Sequence, residues 1–140
     1  MLVFKSAVIM KKRIQAIADC VNVFADSVIK YYEFILEDSN IADLHYAKYI
    51  KALKQLNEFG DDGLSALARL LDDDRIVVRV TAASYLIHYC TEKAKKVLNA
   101  AAGEDRGIAM LAIVTLKRWE TGSYLDPSSG KEVKVIKIEV

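Results

Sequence analysis

Two histidines and two cysteines are the residues of this chain best suited to hold a metal ion or to act as a nucleophile. His88 and Cys90 are two positions apart, a spacing that points their side chains in different directions on a helix. A zinc site needs about four ligands, and His45 and Cys20 are far away in sequence. A nucleophilic cysteine needs a base with an orienting partner, and the sequence suggests no such group. We therefore predict packing roles and reduced thiols, with no catalytic residue, metal site or cofactor.

Bulk composition argues against a nucleic-acid or membrane partner. The chain has 140 residues, of which 28% are charged, and its formal net charge is only +1, so no overall field attracts a polyanion or an anionic membrane. The apolar start contains Lys5 and precedes the basic run Lys11–Arg13, which is the wrong order for a signal peptide. We predict a cytoplasmic protein with a single domain.

Helical periodicity covers most of the chain. Pro127 is the single proline, and a domain of strands and loops normally contains more turn-forming residues. Apolar residues recur every three or four positions. Six helices are predicted, at about 11–37, 41–59, 62–71, 75–89, 91–102 and 104–120.

The two ends of the chain are expected to differ from this helical domain. Lys131–Val140 nearly alternates apolar and charged residues, which predicts a strand. It would cap one end of the domain, pair with Leu2–Ile9 or add to a partner's sheet. The predicted organisation is an N-terminal extension at 1–10, a helical domain at 11–122, and a loop with a strand-like tail at 123–140.

The stretch from Asp72 to Leu86 is the most informative about architecture. An acidic turn precedes Val78-Arg79, two alanines follow at 82 and 83, and Leu86 lies one turn further on. The alanines let a neighbouring helix approach closely, while Val78 and Leu86 fill the seam. The pattern resembles the second helix of a HEAT repeat. This resemblance implies an all-α, HEAT-like α-solenoid of about six antiparallel helices with a short C-terminal β-like tail. The implied helix pairs are 11–59, 62–89 and 91–121.

A wider resemblance extends from Val21 to Gly122. The residues that carry it are Asn57–Gly60, Leu64–Asp74, Val78-Arg79, Ala82-Ala83 and Leu116–Gly122. They are similar to those of a small bacterial family of stand-alone HEAT-like domains of unknown function, whose motifs are structural and supply no catalytic residue. Similar small solenoids serve as immunity proteins beside bacterial toxins, so the resemblance implies a protein that binds another protein.

Charge placement indicates which surface would bind. In six up-and-down helices the turns 1–2, 3–4 and 5–6 lie at one edge, and acids concentrate there. We call this predicted set the acidic edge. It comprises Glu37, Asp38, Asp43, Asp72, Asp73, Asp74, Glu104 and Asp105. Helix capping explains some of these acids, because helix N-termini favour Asp and Glu. Glu37 and Asp38 close a helix, however, and three consecutive aspartates exceed what one cap requires.

Three functions therefore remain open. The leading hypothesis is an immunity protein that neutralises a contact-dependent or secreted bacterial toxin, possibly a nuclease, through the acidic edge. The alternative is a general HEAT-like scaffold or adaptor, possibly self-associating, and the sequence does not fix the oligomeric state. An enzyme related to HEAT-like DNA glycosylases or bilin lyases would need a continuous basic cleft. Because the basic residues here are mixed with acids, we predict a protein without enzymatic activity.

Overall fold

The computed structural model describes residues 2–104, 106–126 and 131–134. Within these ranges the chain is predominantly helical, which confirms the all-α fold class. The helices are α1 (Leu2–Phe34), α2 (Ser39–Glu58), α3 (Asp61–Ala68), α4 (Ile76–Leu86), α5 (Thr91–Ala101) and α6 (Arg106–Glu120). A 3₁₀ turn, Arg69–Asp72, continues α3 towards α4.

The first helix is much longer than its partner. α1 has 33 residues and α2 has 20, so α1 extends beyond α2 by about 20 Å at 1.5 Å per residue. It begins at Leu2 rather than at 11, so residues 2–10 are continuous with α1 and the alternative of a strand at Leu2–Ile9 was wrong. The first glycine of the chain is Gly60, and no helix-breaking residue interrupts the segment before it.

An aromatic cluster joins α1 and α2 to the rest of the core. The Phe24 ring lies 5.8 Å from that of Tyr49 and 6.2 Å from that of Tyr85, in edge-to-face geometry. Phe24 is completely buried, and Tyr49 and Tyr85 are nearly so. Such pairs add to the stability that burial of the rings provides. The cluster therefore fixes α1 and α2 against α4.

The central element is α4, which packs against α1, α3, α5 and α6. Val78, Ala82, Ala83 and Leu86 are all completely buried, in agreement with the packing role that the sequence predicts for them. Within the first helical pair, α1 makes a more extensive contact with α4 than α2 does. The length of α1 places its middle turns against α4, whereas the second helices of successive pairs adjoin in a regular stack.

The described part of the C-terminal tail is a small hairpin. Strands β1 (Ser123–Asp126) and β2 (Lys131–Lys134) pair antiparallel, with Ser123 opposite Lys134, and β1 contacts α6. The residues from Tyr124 to Asp126, predicted as loop, are therefore strand. Residues 127–130 and 135–140, which include most of the predicted tail strand, lie outside the described part.

Candidate protein-binding site

The acids predicted to form one edge fall into two groups. The first comprises Glu37, Asp38 and Asp43 around the turn from α1 to α2, and the second comprises Asp72–Asp74 and Glu104. Glu104 lines the same small groove as Leu71 and Arg79 at the start of α4, so the turn from α5 to α6 lies beside the aspartates. Asp105 is outside the described residues.

The two groups are separated along α1. The hydrogen bond from Arg75 to Asp73 is the main cause that raises the pKa of Arg75, and the charge of Asp26 on α1 adds to it. The turn that holds the aspartates therefore lies near Asp26, in the second half of α1. Phe34, where α1 ends, comes eight residues after Asp26, roughly 12 Å along the helix, and Glu37 and Asp38 follow in the turn beyond it.

Two of the three consecutive aspartates are engaged within the protein. The Asp73 carboxylate accepts hydrogen bonds from the Arg75 backbone N–H and Nε, each at 2.9 Å, and from an Arg75 terminal nitrogen at 3.0 Å. These bonds to Arg75 hold the pKa of Asp73 below its usual value. Asp72 pairs with Lys93 at 2.7 Å across the surface. Only Asp74 leaves its side chain exposed with no hydrogen bond or ion pair to the described residues.

The helix cap and the motif arginine in this turn have defined structural roles. The cap residue of α4 is Arg75, and Asp73 accepts its N–H, so Asp74 does not cap this helix. Arg79 donates to the backbone carbonyls of Asp73 at 2.8 Å and Asp74 at 3.0 Å. Since carbonyls of a turn otherwise need water as a partner, Arg79 ties the acidic turn to the body of α4.

The turn from α1 to α2 combines acids with exposed apolar side chains. Leu36 is 95% exposed and Leu44 is 58% exposed, with Ile35 and Ile41 also exposed. Asp38 caps α2, accepting the N–H groups of Asn40 and Ile41. Its role as a cap explains one acid, but capping does not require the others. We call this surface the acidic tip; it comprises Glu33, Ile35, Leu36, Glu37, Asp38, Ile41, Asp43 and Leu44.

Sequence reasoning found the acids of the tip but missed its apolar part. Ile35 and Leu44 were predicted to face the core, because both fit the helical period of their helices. Instead α1 ends at Phe34, so Ile35 lies in the turn, and Leu44 lies on the outer side of the first turns of α2. The sequence did contain a signal for this exposure. Ile35 and Leu36 are adjacent and come just before Glu37 and the cap residue Asp38, and a turn between two helices cannot cover both apolar side chains.

The acidic tip is strongly negative. Residues 31–47 contain four Asp or Glu and no Lys or Arg. Asp43 contributes to raising the pKa of Tyr31, after burial and the neighbouring Tyr46. An exposed apolar patch with charge of one sign around it is typical of a protein contact, because the apolar part gives affinity and the rim selects the partner.

A groove lined by lysines adjoins the acidic tip and marks where its negative surface ends. Lys30, Lys48 and Lys51 line a space between α1 and α2, together with His45. Burial, Lys48 and Lys30 lower the pKa of His45, with Glu33 opposing them. The negative surface therefore gives way to positive charge about one turn further along each helix.

The tyrosines divide between packing and surface positions. Tyr31 and Tyr32 are half-buried, whereas Tyr46 is 42% exposed and Tyr89 is 37% exposed. The ring of Tyr46 lies 5.0 Å from that of the buried Tyr49, centroid to centroid. The exposed Tyr46 ring therefore has one edge against the core. Trp119 is buried.

The cysteines and histidines do not form a chemical site within the described residues. Cys20 and Cys90 are both free and half-buried, and burial raises the pKa of each thiol. His88 is exposed, at the end of the segment after α4. Across the described ranges, no three His, Cys, Asp or Glu side chains are grouped closely enough to hold a metal ion.

Two further results bear on the class of protein. Within the part of the chain that the structure describes, none of the helices has the length and apolar character needed to cross a membrane. No protein-family model matches the chain, and comparisons with curated proteins and with solved structures also find no match.

Proposed function

We propose that this protein is a cytoplasmic protein-binding module, a helical stack of the HEAT-like kind, that acts as an immunity protein against a bacterial toxin. The observation that supports this proposal most directly is the acidic tip. Its apolar residues include Leu36, 95% exposed, within a segment that contains four acids and no basic residue. A toxin domain with a basic surface, such as that of a nuclease, is the complementary partner.

The division of roles within the tip follows from how protein interfaces gain affinity. A few side chains that enter a pocket of the partner supply most of the binding free energy, and a surrounding rim excludes water. Leu36 is the candidate for such an anchor. Glu37 and Asp43 are exposed and lie in the rim, where charges act mainly on the association rate and its dependence on salt.

The second group of acids is a weaker candidate for the contact surface. Asp72 and Asp73 already pair with Lys93 and Arg75, so binding through them would require these ion pairs to break. Reversal of all three aspartates would also remove the hydrogen bonds of Asp73 to Arg75 and confuse loss of binding with loss of stability. Asp74 and Glu104 are exposed and form no ion pair with the described residues, so they serve as matched controls.

The test compares two double variants with the same change in net charge. Glu37→Lys with Asp43→Lys alters the tip, and Asp74→Lys with Glu104→Lys alters the second group. Each is co-expressed with the product of the adjacent gene, the natural candidate for a toxin, and growth and complex formation are measured. We expect only the tip variant to lose protection. In purified complexes Leu36→Ala should weaken binding by about 30-fold, the effect of losing one interface anchor.

The outcomes separate the alternatives. Loss of protection in the second variant alone would place the contact at the turn before α4. Full protection in both variants would reject an acid-dependent interface. No complex with the adjacent gene product and no toxicity of that product would reject the immunity proposal itself.

A further inference from the structure

The end of α1 opposite to the acidic tip carries a groove with an apolar floor. This α1–α3 groove has a volume of about 500 Å³, and its lining includes Met10, Ile14, Ile17 and Val21 of α1 together with Ala66 of α3. Met10 and Ile14 are each 64% exposed. The groove lies between α1 and α3, and its α1 lining runs from Met10 to Asn22. The Arg13 guanidinium meets the Phe59 carbonyl at the end of α2, at 3.1 Å, so Met10 lies beyond the end of α2 and the other α1 residues of the groove lie beside it.

The charge around this groove is opposite to that of the tip. Arg13 and Arg69 line the groove together with Asp62, which pairs with Arg13 at 3.4 Å on exposed surface, and Lys11 lies just outside it. Residues 1–18 contain four Lys or Arg and no Asp or Glu. The start of α1 is therefore basic and its end acidic, which is the reverse of what the helix dipole favours. The dipole of α1 does not explain this arrangement, and among the acids of the tip Asp38 alone serves as the cap of α2.

We propose that the α1–α3 groove of one copy of this protein binds the acidic tip of a second copy. Leu36, with Ile41 beside it, enters the apolar groove, and the acids of the tip face Lys11, Arg13 and Arg69. Ile14 and Phe34 are 20 residues apart on α1, a distance of roughly 30 Å, so the tip cannot reach the groove of its own chain. An acidic tip that fills the groove must therefore belong to another copy.

The size of the two surfaces indicates the strength of the contact. Four aliphatic side chains at the exposures found in the tip present roughly 400 Å² of apolar surface, within the range of patches that mark interaction sites. This is smaller than the ~800 Å² per partner of a stable standard interface. The association is accordingly weak, in the micromolar range, and sensitive to salt because charges form its rim.

The geometry of the contact determines what it builds. The two surfaces differ from one another and lie towards opposite ends of α1, so each copy offers one groove and one tip. Two copies that lie antiparallel fill both sites reciprocally and close as a two-fold dimer, whereas any other arrangement of the same contact builds a ring or a chain of copies. Since the acidic tip is also the surface of the proposed function, self-association and toxin binding compete for it, and a toxin would dissociate the assembly.

The experiment measures the oligomeric state of the full chain by sedimentation velocity from about 1 µM to about 1 mM, at low and high salt. Three variants accompany the wild type. Leu36→Ser removes the anchor of the tip, Ile14→Glu blocks the groove, and Met110→Glu changes an equally exposed apolar residue on α6, 60% exposed, as the control. Circular dichroism of each variant checks that the helices are intact.

We expect the wild type and Met110→Glu to self-associate, as a closed dimer or as larger species, with at least tenfold weaker association in high salt. Leu36→Ser and Ile14→Glu should each be monomeric alone, and their mixture should form a 1:1 dimer and nothing larger, because one intact groove and one intact tip remain. A wild type that is monomeric at every concentration overturns the proposal. So does an assembly that survives both substitutions, or a mixture of the two variants that stays monomeric. None of these measurements involves a toxin, so they are independent of the proposed function.

Discussion

Replacing Asp73 with asparagine separates the structural acid of the turn before α4 from its exposed neighbour. The asparagine oxygen still accepts from the backbone N–H and Nε of Arg75, as Asp73 Oδ1 does at 2.9 Å. Its NH₂ group, in the place of Oδ2, cannot accept from the terminal nitrogen of Arg75, and the negative charge is lost. We expect Asp73→Asn to destabilise the protein, and Asp74→Asn to leave stability unchanged, because the Asp74 side chain is exposed.

The magnitude follows from the exposure of the pair. Hydrogen bonds to charged groups contribute about 1.5–3 kcal/mol when they are shielded from water, and exposed ion pairs contribute about 0–1 kcal/mol. The Asp73 side chain is 17% exposed and that of Arg75 is 47% exposed, so the pair lies between these limits. We expect a loss of about 1 kcal/mol for Asp73→Asn. Asp73→Ala also removes the oxygen that accepts from the backbone N–H and Nε of Arg75, which costs about 1 kcal/mol more.

Thermal unfolding followed by circular dichroism tests this. For a chain of this length 1 kcal/mol corresponds to a fall in Tm of about 4 °C, so Asp73→Asn and Asp73→Ala should lose about 4 °C and about 8 °C, and Asp74→Asn less than 2 °C. Equal losses for Asp73→Asn and Asp74→Asn, or no loss for either, would refute the reasoning.

The pH dependence provides an internal check. The pKa of Asp73 is lowered in the folded protein, chiefly by its hydrogen bond to Arg75, so near pH 4 the unfolded chain binds more protons than the folded one. The contribution of the pair is therefore complete at neutral pH and is lost as the pH falls from about 4 through the folded pKa. The difference between wild type and Asp73→Asn should disappear in acid.

Two further predictions concern the packing of α3 and the aromatic cluster. Gly63→Ala should cost about 1–3 kcal/mol, because the added Cβ would overlap the carbonyl oxygen of Leu56. Gly107→Ala has open space around the new Cβ and lies in the first turn of α6, so it should be neutral or gain less than the roughly 0.5–1 kcal/mol of a helix interior. Urea denaturation would measure both, and equal effects would contradict this packing. Burial above all, followed by the neighbouring Tyr85, raises the pKa of Tyr49, so the stability from its neutral phenol is complete below about pH 10 and is lost at higher pH. Absorbance at 295 nm should show Tyr49 ionising only together with unfolding, and reversible ionisation in the folded state would show that the ring is accessible.

The local sequence pattern predicted much of the architecture. Six helices in the described residues, the end of α2 before Gly60, and the burial of Val78 and Leu86 agree with the sequence-based predictions. Local pattern failed at boundaries. The prediction began α1 at residue 11, because nothing in the sequence shows what the apolar residues around Met10 pack against. It also ended α1 at Glu37, whereas the helix ends at Phe34.

The sequence by itself determined the helical class, the core face of α4 and the concentration of acids near turns, because periodicity and composition act within a few residues of each other. Only the tertiary structure decided which acidic side chains form ion pairs within the protein. Asp72 and Asp73 are held by Lys93 and Arg75, and an ion pair with a residue 21 positions away, as for Lys93, leaves no local pattern.

The tertiary structure also decided that α1 ends in two surfaces of opposite charge, an apolar groove and an exposed apolar tip. The groove lies between α1 and α3, and the tip lies at the turn from α1 to α2. A helical period states that a residue has an apolar neighbour on the same face, but only packing determines whether another helix covers that face. Leu36 and Ile14 are ordinary helical-period residues in the sequence and exposed surfaces in the folded protein.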